Sequence, residues 1–103
     1  MGQLHTVAQA GDLPPGSAMA VQIEDRRLAL FNVGGTFFAI DDTCPHSGAP
    51  LSEGDLDEAQ IVCPWHGATF DLRDGSVKCP PAEEGVTCYR VEVDGDEIKI
   101  EIP

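Results

Sequence analysis

Residues 44–66 read CPHSGAPLSEGDLDEAQIVCPWH, and the two ends of that stretch echo each other. CPHSGA (44–49) and CPWHGA (63–68) each supply a thiol and an imidazole, and each follows its cysteine with a proline. The pattern is Cys-x-His, sixteen residues, then Cys-x-x-His, with Cys44, His46, Cys63 and His66 as the donors. A metal site needs soft or borderline donors converging on one point, and thiolate with imidazole is such a set. His46 lies only two residues after Cys44, which suits a curled loop better than a helix face. Pro45 and Pro64 each remove a backbone donor and fix one dihedral, stiffening the loops. Gly48 and Gly67 sit near the histidines, where a bare backbone can approach closely and turn N–H groups toward sulfur.

Outward from these loops the chain reads as all-β. AMAVQIE (18–24) and RLALFNV (27–33) have strand composition, and TFFAI (36–40) follows Gly34-Gly35, a hairpin signal. Near the C-terminus alternation predicts one strand with Tyr89, Val91 and Val93 on one face and Arg90 and Glu92 on the other. An Asp94-Gly95 turn then leads to Ile98, Ile100 and Ile102, alternating with Glu97, Lys99 and Glu101. Asp74-Gly75 marks another turn, between ATFDL and SVKC. Helical periodicity is weak, with room for one short turn in Leu51–Ala59. Short strands at regular spacing predict a small sandwich or barrel of antiparallel strands, with both Cys/His loops projecting from one side.

Size and charge bound the function. At 103 residues the chain fits one domain, 1–103, burying roughly 65% of its unfolded surface. Neither a long apolar run nor a basic-then-apolar leader is readable, so the expectation is a soluble, cytoplasmic protein. The net charge of −12 argues against nucleic acid or an anionic membrane surface as a partner. It suits salt-sensitive encounters with basic protein patches, and it equally serves plain solubility. Glu53, Asp55, Asp57 and Glu58, between the two loops, read as a solvated face rather than a docking patch. His5 reads as an exposed N-terminal residue. Cys79 and Cys88 fall outside the donor pattern, and in a cytosolic protein they are expected to be reduced.

Three chemistries fit the four donors: paired or buried cysteines beside ordinary histidines, a closed Cys2His2 zinc site, and a [2Fe–2S] cluster. Disulfides are disfavoured without a secretory leader, and Cys-x-His is tighter than usual zinc-finger spacing. The spacing, the prolines and the glycines together resemble the Rieske family. There two thiolates hold one iron and two imidazoles the other. The resemblance covers most of the chain and extends to KCPPAEEG (78–85), similar to the proline-containing loop that covers the cluster in that family.

By that likeness the fold has a cluster-binding subdomain, Cys44 and Cys63 bind one iron, and His46 and His66 bind the other nearer the surface. Pro80 and Pro81 would shield the far side. Two ferric ions, two sulfides and two thiolates then sum to zero, so an added electron meets less repulsion than with four thiolates. High-potential members carry a disulfide cysteine in each loop and a serine and a tyrosine near the cluster. The matching positions here are Ala49, Trp65, Ala68 and Phe70, which implies a low-potential ferredoxin, near about −150 mV. Rieske oxygenases also need a mononuclear iron held by two histidines and a carboxylate, and only His5 remains for that. No dinucleotide fingerprint is visible either. The resemblance therefore implies an electron carrier without substrate chemistry, passing electrons from a flavin-dependent ferredoxin reductase to a terminal aromatic-ring hydroxylating oxygenase. The other settings are the small subunit of an assimilatory nitrite reductase and, from another class, a zinc-stabilised interaction module.

Overall fold

The computed structural model describes residues 3–43, 50–64, 68–79 and 85–102, with the side chains of 77–79 outside that description. Eleven strands appear among the described residues, in three antiparallel sheets. They are β1 (Gln3–Gln9), β2 (Ala18–Ile23), β3 (Arg26–Val33), β4 (Thr36–Asp41), β5 (Asp55–Asp57), β6 (Gln60–Val62), β7 (Thr69–Asp71), β8 (Val77–Cys79), β9 (Cys88–Tyr89), β10 (Val91–Asp94) and β11 (Glu97–Ile102). The orders are β1-β11-β10, β2-β3-β4-β9 and β5-β6-β7-β8. Two 3-10 turns, Ala10–Asp12 and Leu51–Glu53, are the only helical pieces among the described residues, and no helix there is long and apolar enough to cross a membrane.

The apolar run in β3 explains the layering. Leu28 to Asn32 are all buried, because successive side chains point to opposite faces and both faces are covered. Ala29 and Phe31 join Ile40, Leu51, Ile61, Cys63, Ala68, Phe70 and Leu72 in one core. Leu28 and Leu30 join Val21, Ile23, Tyr89, Ile98 and Ile100 in the other. The β2-β3-β4-β9 sheet is thus the middle layer, with β1-β11-β10 on one face and the β5–β8 sheet on the other. Asn32 is the polar exception, 4% exposed. Its amide donates to Leu13 O at 2.7 Å and its oxygen accepts from Gly35 N at 2.8 Å, which satisfies it and fastens the β3–β4 turn. In that turn Gly34 and Gly35 have φ of 60° and 98°, the left-handed pair that a two-residue hairpin requires.

The expected all-β antiparallel architecture is observed, and three local readings change. The strand expected through Tyr89–Val93 is broken at Arg90: Tyr89 pairs with Ala39 in the middle sheet, while Val91–Asp94 pair with β11. Arg90 O accepts from Glu101 N at 2.9 Å as the chain changes sheets. Val93, expected on one face with Tyr89, is 47% exposed where Tyr89 is 6% exposed. His5 is not a free terminal residue, since it lies in β1 opposite Ile100 and is half-buried. The one short turn expected within Leu51–Ala59 is the 3-10 turn Leu51–Glu53, after which the chain turns into β5.

Candidate metal centre

Both Cys/His loops are fastened at their bases. The first leaves β4 at Asp41 and is closed by a bridge between Thr43 and Pro50. Asp42, 1% exposed, holds both ends of it. Its carbonyl accepts from Leu51 N at 2.6 Å, Oδ1 accepts from Ser52 N at 2.8 Å, and Oδ2 accepts from Arg27 Nε at 2.6 Å. A carboxylate this buried costs several kcal/mol in desolvation unless it is paired and hydrogen-bonded, and here it is both. Cys44 and His46, within 44–49, lie outside the described residues, as does Ala49.

The second loop springs from the β6–β7 hairpin. Cys63 N donates to Ala68 O at 2.7 Å, which pinches the loop, and Cys63 is 2% exposed. His66 and Trp65 lie outside the described residues. The segment containing Pro80 and Pro81 is likewise outside them, but its return is fixed: Val86 N donates to Gly75 O at 2.8 Å.

The two loop bases converge on one apolar floor. Leu51, which follows the first loop, shares a buried cluster with Cys63, Ala68 and Phe70 from the second. Gly54 lies so close to the backbone of Val62, next to Cys63, that a Cβ there would overlap the Val62 carbonyl oxygen. Of the four candidate donors, Cys63 is the one described, buried within an apolar cluster beside the pinched neck of its loop. That environment suits a thiolate bound to metal, because a free buried thiolate would be unsolvated. Ala68 and Phe70, both 0% exposed, lie on the floor that carries Cys63 and bring no hydroxyl to it.

Around this site the charge is negative. Glu53, Asp55, Asp57 and Glu58 are exposed, as expected for a solvated face. Cys88, a free thiol, contacts Leu72 O at 3.6 Å and Arg73 O at 3.7 Å, and burial, then Asp74 and Asp71, push its pKa up. It is a poor nucleophile in consequence. Sequence reasoning missed Asp41 and Asp42 as anchors of the first loop. Their only signal was two adjacent carboxylates where strand alternation should give one polar and one apolar residue.

The pattern of the Rieske [2Fe-2S] domain matches residues 3–90. The chain belongs to the Rieske family. As a Rieske protein it carries a [2Fe–2S] cluster, which takes the donor set away from zinc. It is 45% identical over 93 residues to the 3-phenylpropionate/cinnamic acid dioxygenase ferredoxin subunit of Shigella boydii serotype 4 (strain Sb227), covering 89% of this chain and 87% of that one. Its fold is similar to a structure of the complex of reduced oxygenase and oxidised ferredoxin in carbazole 1,9a-dioxygenase, with TM-score 0.89, 36% identity, and 94% and 91% of the two chains covered. It is also similar to a Mycobacterium tuberculosis protein assigned as an NADH-dependent nitrite reductase small subunit, with TM-score 0.91 and 25% identity over 100% and 97% of the chains. Within the Rieske family this chain is a ferredoxin-type electron carrier and not the catalytic component.

Proposed function

We propose that this Rieske ferredoxin passes single electrons from a flavin-dependent ferredoxin reductase to the terminal oxygenase of an aromatic-ring hydroxylating system. The observation that carries this reading is the 45% identity to a dioxygenase ferredoxin subunit across nearly the whole of both chains. In this reading residues 1–103 form one cluster domain acting in the cytoplasm, Cys44 and Cys63 ligate one iron, and His46 and His66 ligate the other. When bound, the cluster supplies one reversibly held electron.

The protein's part is positional and electrostatic. The Asp42 brace fastens the base of the first loop, and the Cys63–Ala68 pinch fastens the neck of the second. Fastened bases of this kind would limit reorganisation of the ligands between redox states, which favours fast transfer. Ala68 and Phe70 exclude water from the floor without donating hydrogen bonds, which leaves added negative charge less stabilised and the potential low. The net charge of −12 gives the molecule a field that attracts basic partner surfaces.

Reconstitution tests the reading. Purified protein should contain two iron and two acid-labile sulfide per chain. With a flavin reductase and an aromatic-ring oxygenase, it should couple NAD(P)H oxidation to ring hydroxylation. Transfer to a sirohaem nitrite reductase with none to any oxygenase would replace this setting by the nitrite-reductase one, which the 25% identity supports less. Zinc without sulfide would end both. His46→Cys and His66→Cys should each lower the potential or abolish assembly, since each adds a thiolate charge. An intact cluster at unchanged potential in both would remove those histidines from the ligand set.

A further inference from the structure

The cluster-bearing β5–β8 sheet connects to the middle sheet through two crossings. The chain leaves β4 through Asp41–Thr43, and it returns through Gly85–Thr87 into β9. One residue fastens the two crossings together. Asp41 N donates to Thr87 O at 3.1 Å, Asp41 Oδ2 accepts from Thr87 N at 3.3 Å, and Oδ1 accepts from the Tyr89 hydroxyl at 2.7 Å. Arg26 Nη1 donates to the same hydroxyl oxygen at 3.2 Å, which ties the arrangement to the start of β3.

On its other side the return crossing is gripped by the cluster-bearing half. Val86 N donates to Gly75 O, and the Cys88 thiol reaches the carbonyls of Leu72 and Arg73. Gly75 and Gly85 carry no Cβ where one would strike Val86 O and Gly75 O respectively, so that contact is backbone on backbone. Residues 85–89 are thus a strap held by the cluster-bearing sheet on one side and, on the other, by the short β4–β9 ladder and the Asp41 carboxylate.

We infer that Asp41 is a positioning residue for the metal centre, locking the return crossing to the crossing that feeds the first ligand loop. An ordinary stabilising pair would sit anywhere in the fold. This one joins the two segments whose relative movement would shift the cluster-bearing sheet against the middle sheet. Val86, Cys88 and Tyr89 pack into the two cores, whereas Thr87 between them is exposed and depends on its bonds to Asp41. The inference rests on the cluster being held by Cys44, His46, Cys63 and His66, as proposed above. Iron and sulfide content of the wild type tests the cluster separately, and the His46→Cys and His66→Cys variants test its placement.

The test uses the oxidised holoprotein of wild type, Tyr89→Phe, Asp41→Asn, the double variant, and Ile100→Val as a control in the remote core. Iron capture by a chelator, amide exchange at Thr87, and Tm are measured on each. Tyr89→Phe keeps the buried ring and removes only the hydroxyl. It should speed iron release roughly three- to tenfold, the consequence of losing the hydroxyl's bond to Asp41 together with the longer one it accepts from Arg26, with faster Thr87 exchange. Asp41→Asn should do at least as much, and the double variant should match the worse single within about twofold, since both remove one device. Ile100→Val should stay within about twofold of wild type despite a lowered Tm. Unchanged iron release in both hinge variants would overturn the inference, as would equal acceleration in Ile100→Val at a matched Tm.

Discussion

Gly54→Ala puts the convergence of the two loops to a direct test. Gly54 has φ −78° and ψ −177°, a conformation any residue adopts, so alanine meets no backbone objection there. The obstacle is the Val62 carbonyl, which must move by roughly an ångström to reach ordinary contact distance. Overpacking of that kind costs about 1–3 kcal/mol. Alanine returns about 0.4–1 kcal/mol by restricting the unfolded chain. The net loss of about 1–2 kcal/mol corresponds to a Tm fall of about 4–16 °C for a domain of this size. Gly11→Ala supplies the control, because a Cβ there meets nothing within 4 Å. It should be neutral or slightly stabilising. Val62 directly precedes Cys63, so the displacement should also appear in the visible and EPR spectra of the cluster. Differential scanning calorimetry on both variants, with metal content, decides it. Gly54→Ala melting at or above wild type with an unaltered spectrum would refute the close-approach argument.

Three further outcomes are expected. Ala68→Ser and Phe70→Tyr place hydroxyl donors on the floor beside Cys63; if each favours the reduced form by about 1–2 kcal/mol, protein-film voltammetry should show rises of roughly 40–90 mV apiece, and no shift with the cluster intact would detach these positions from the redox site. Burial, then the hydrogen bond to Asp41, raises the pKa of Tyr89. The unfolded chain therefore loses this proton first, and the stability from Tyr89 is whole below about pH 10 and lost as pH climbs toward the folded value. Wild type should lose Tm faster than Tyr89→Phe above pH 10, and parallel curves would count against it. Electron transfer with the reductase should slow steeply between low and moderate salt if the −12 net charge steers encounter; a flat profile would assign that charge to solubility.

The sequence alone determined whatever depends on near neighbours along the chain. Strands β2, β3 and β4 follow from apolar runs broken by turn residues, and the Gly34-Gly35 hairpin from the need for positive φ. The doubled Cys/His loops were legible because a donor set is written in residue types and short spacings. Tertiary structure decided the rest, because it depends on which distant segments meet. Alternation carried Tyr89–Val93 as one strand, yet the competing pairings of Tyr89 with Ala39 and of Val91 with Ile100 split it at Arg90. β1 has too mixed a pattern to declare itself, and it forms because β11 offers an unpaired edge. Nothing in FAIDDTC says that Asp41 will meet Tyr89, 48 residues away, or that Asp42 will brace the loop against Arg27. A carboxylate reads as surface until a long-range partner takes it out of water, and the chain names that partner only once it is folded.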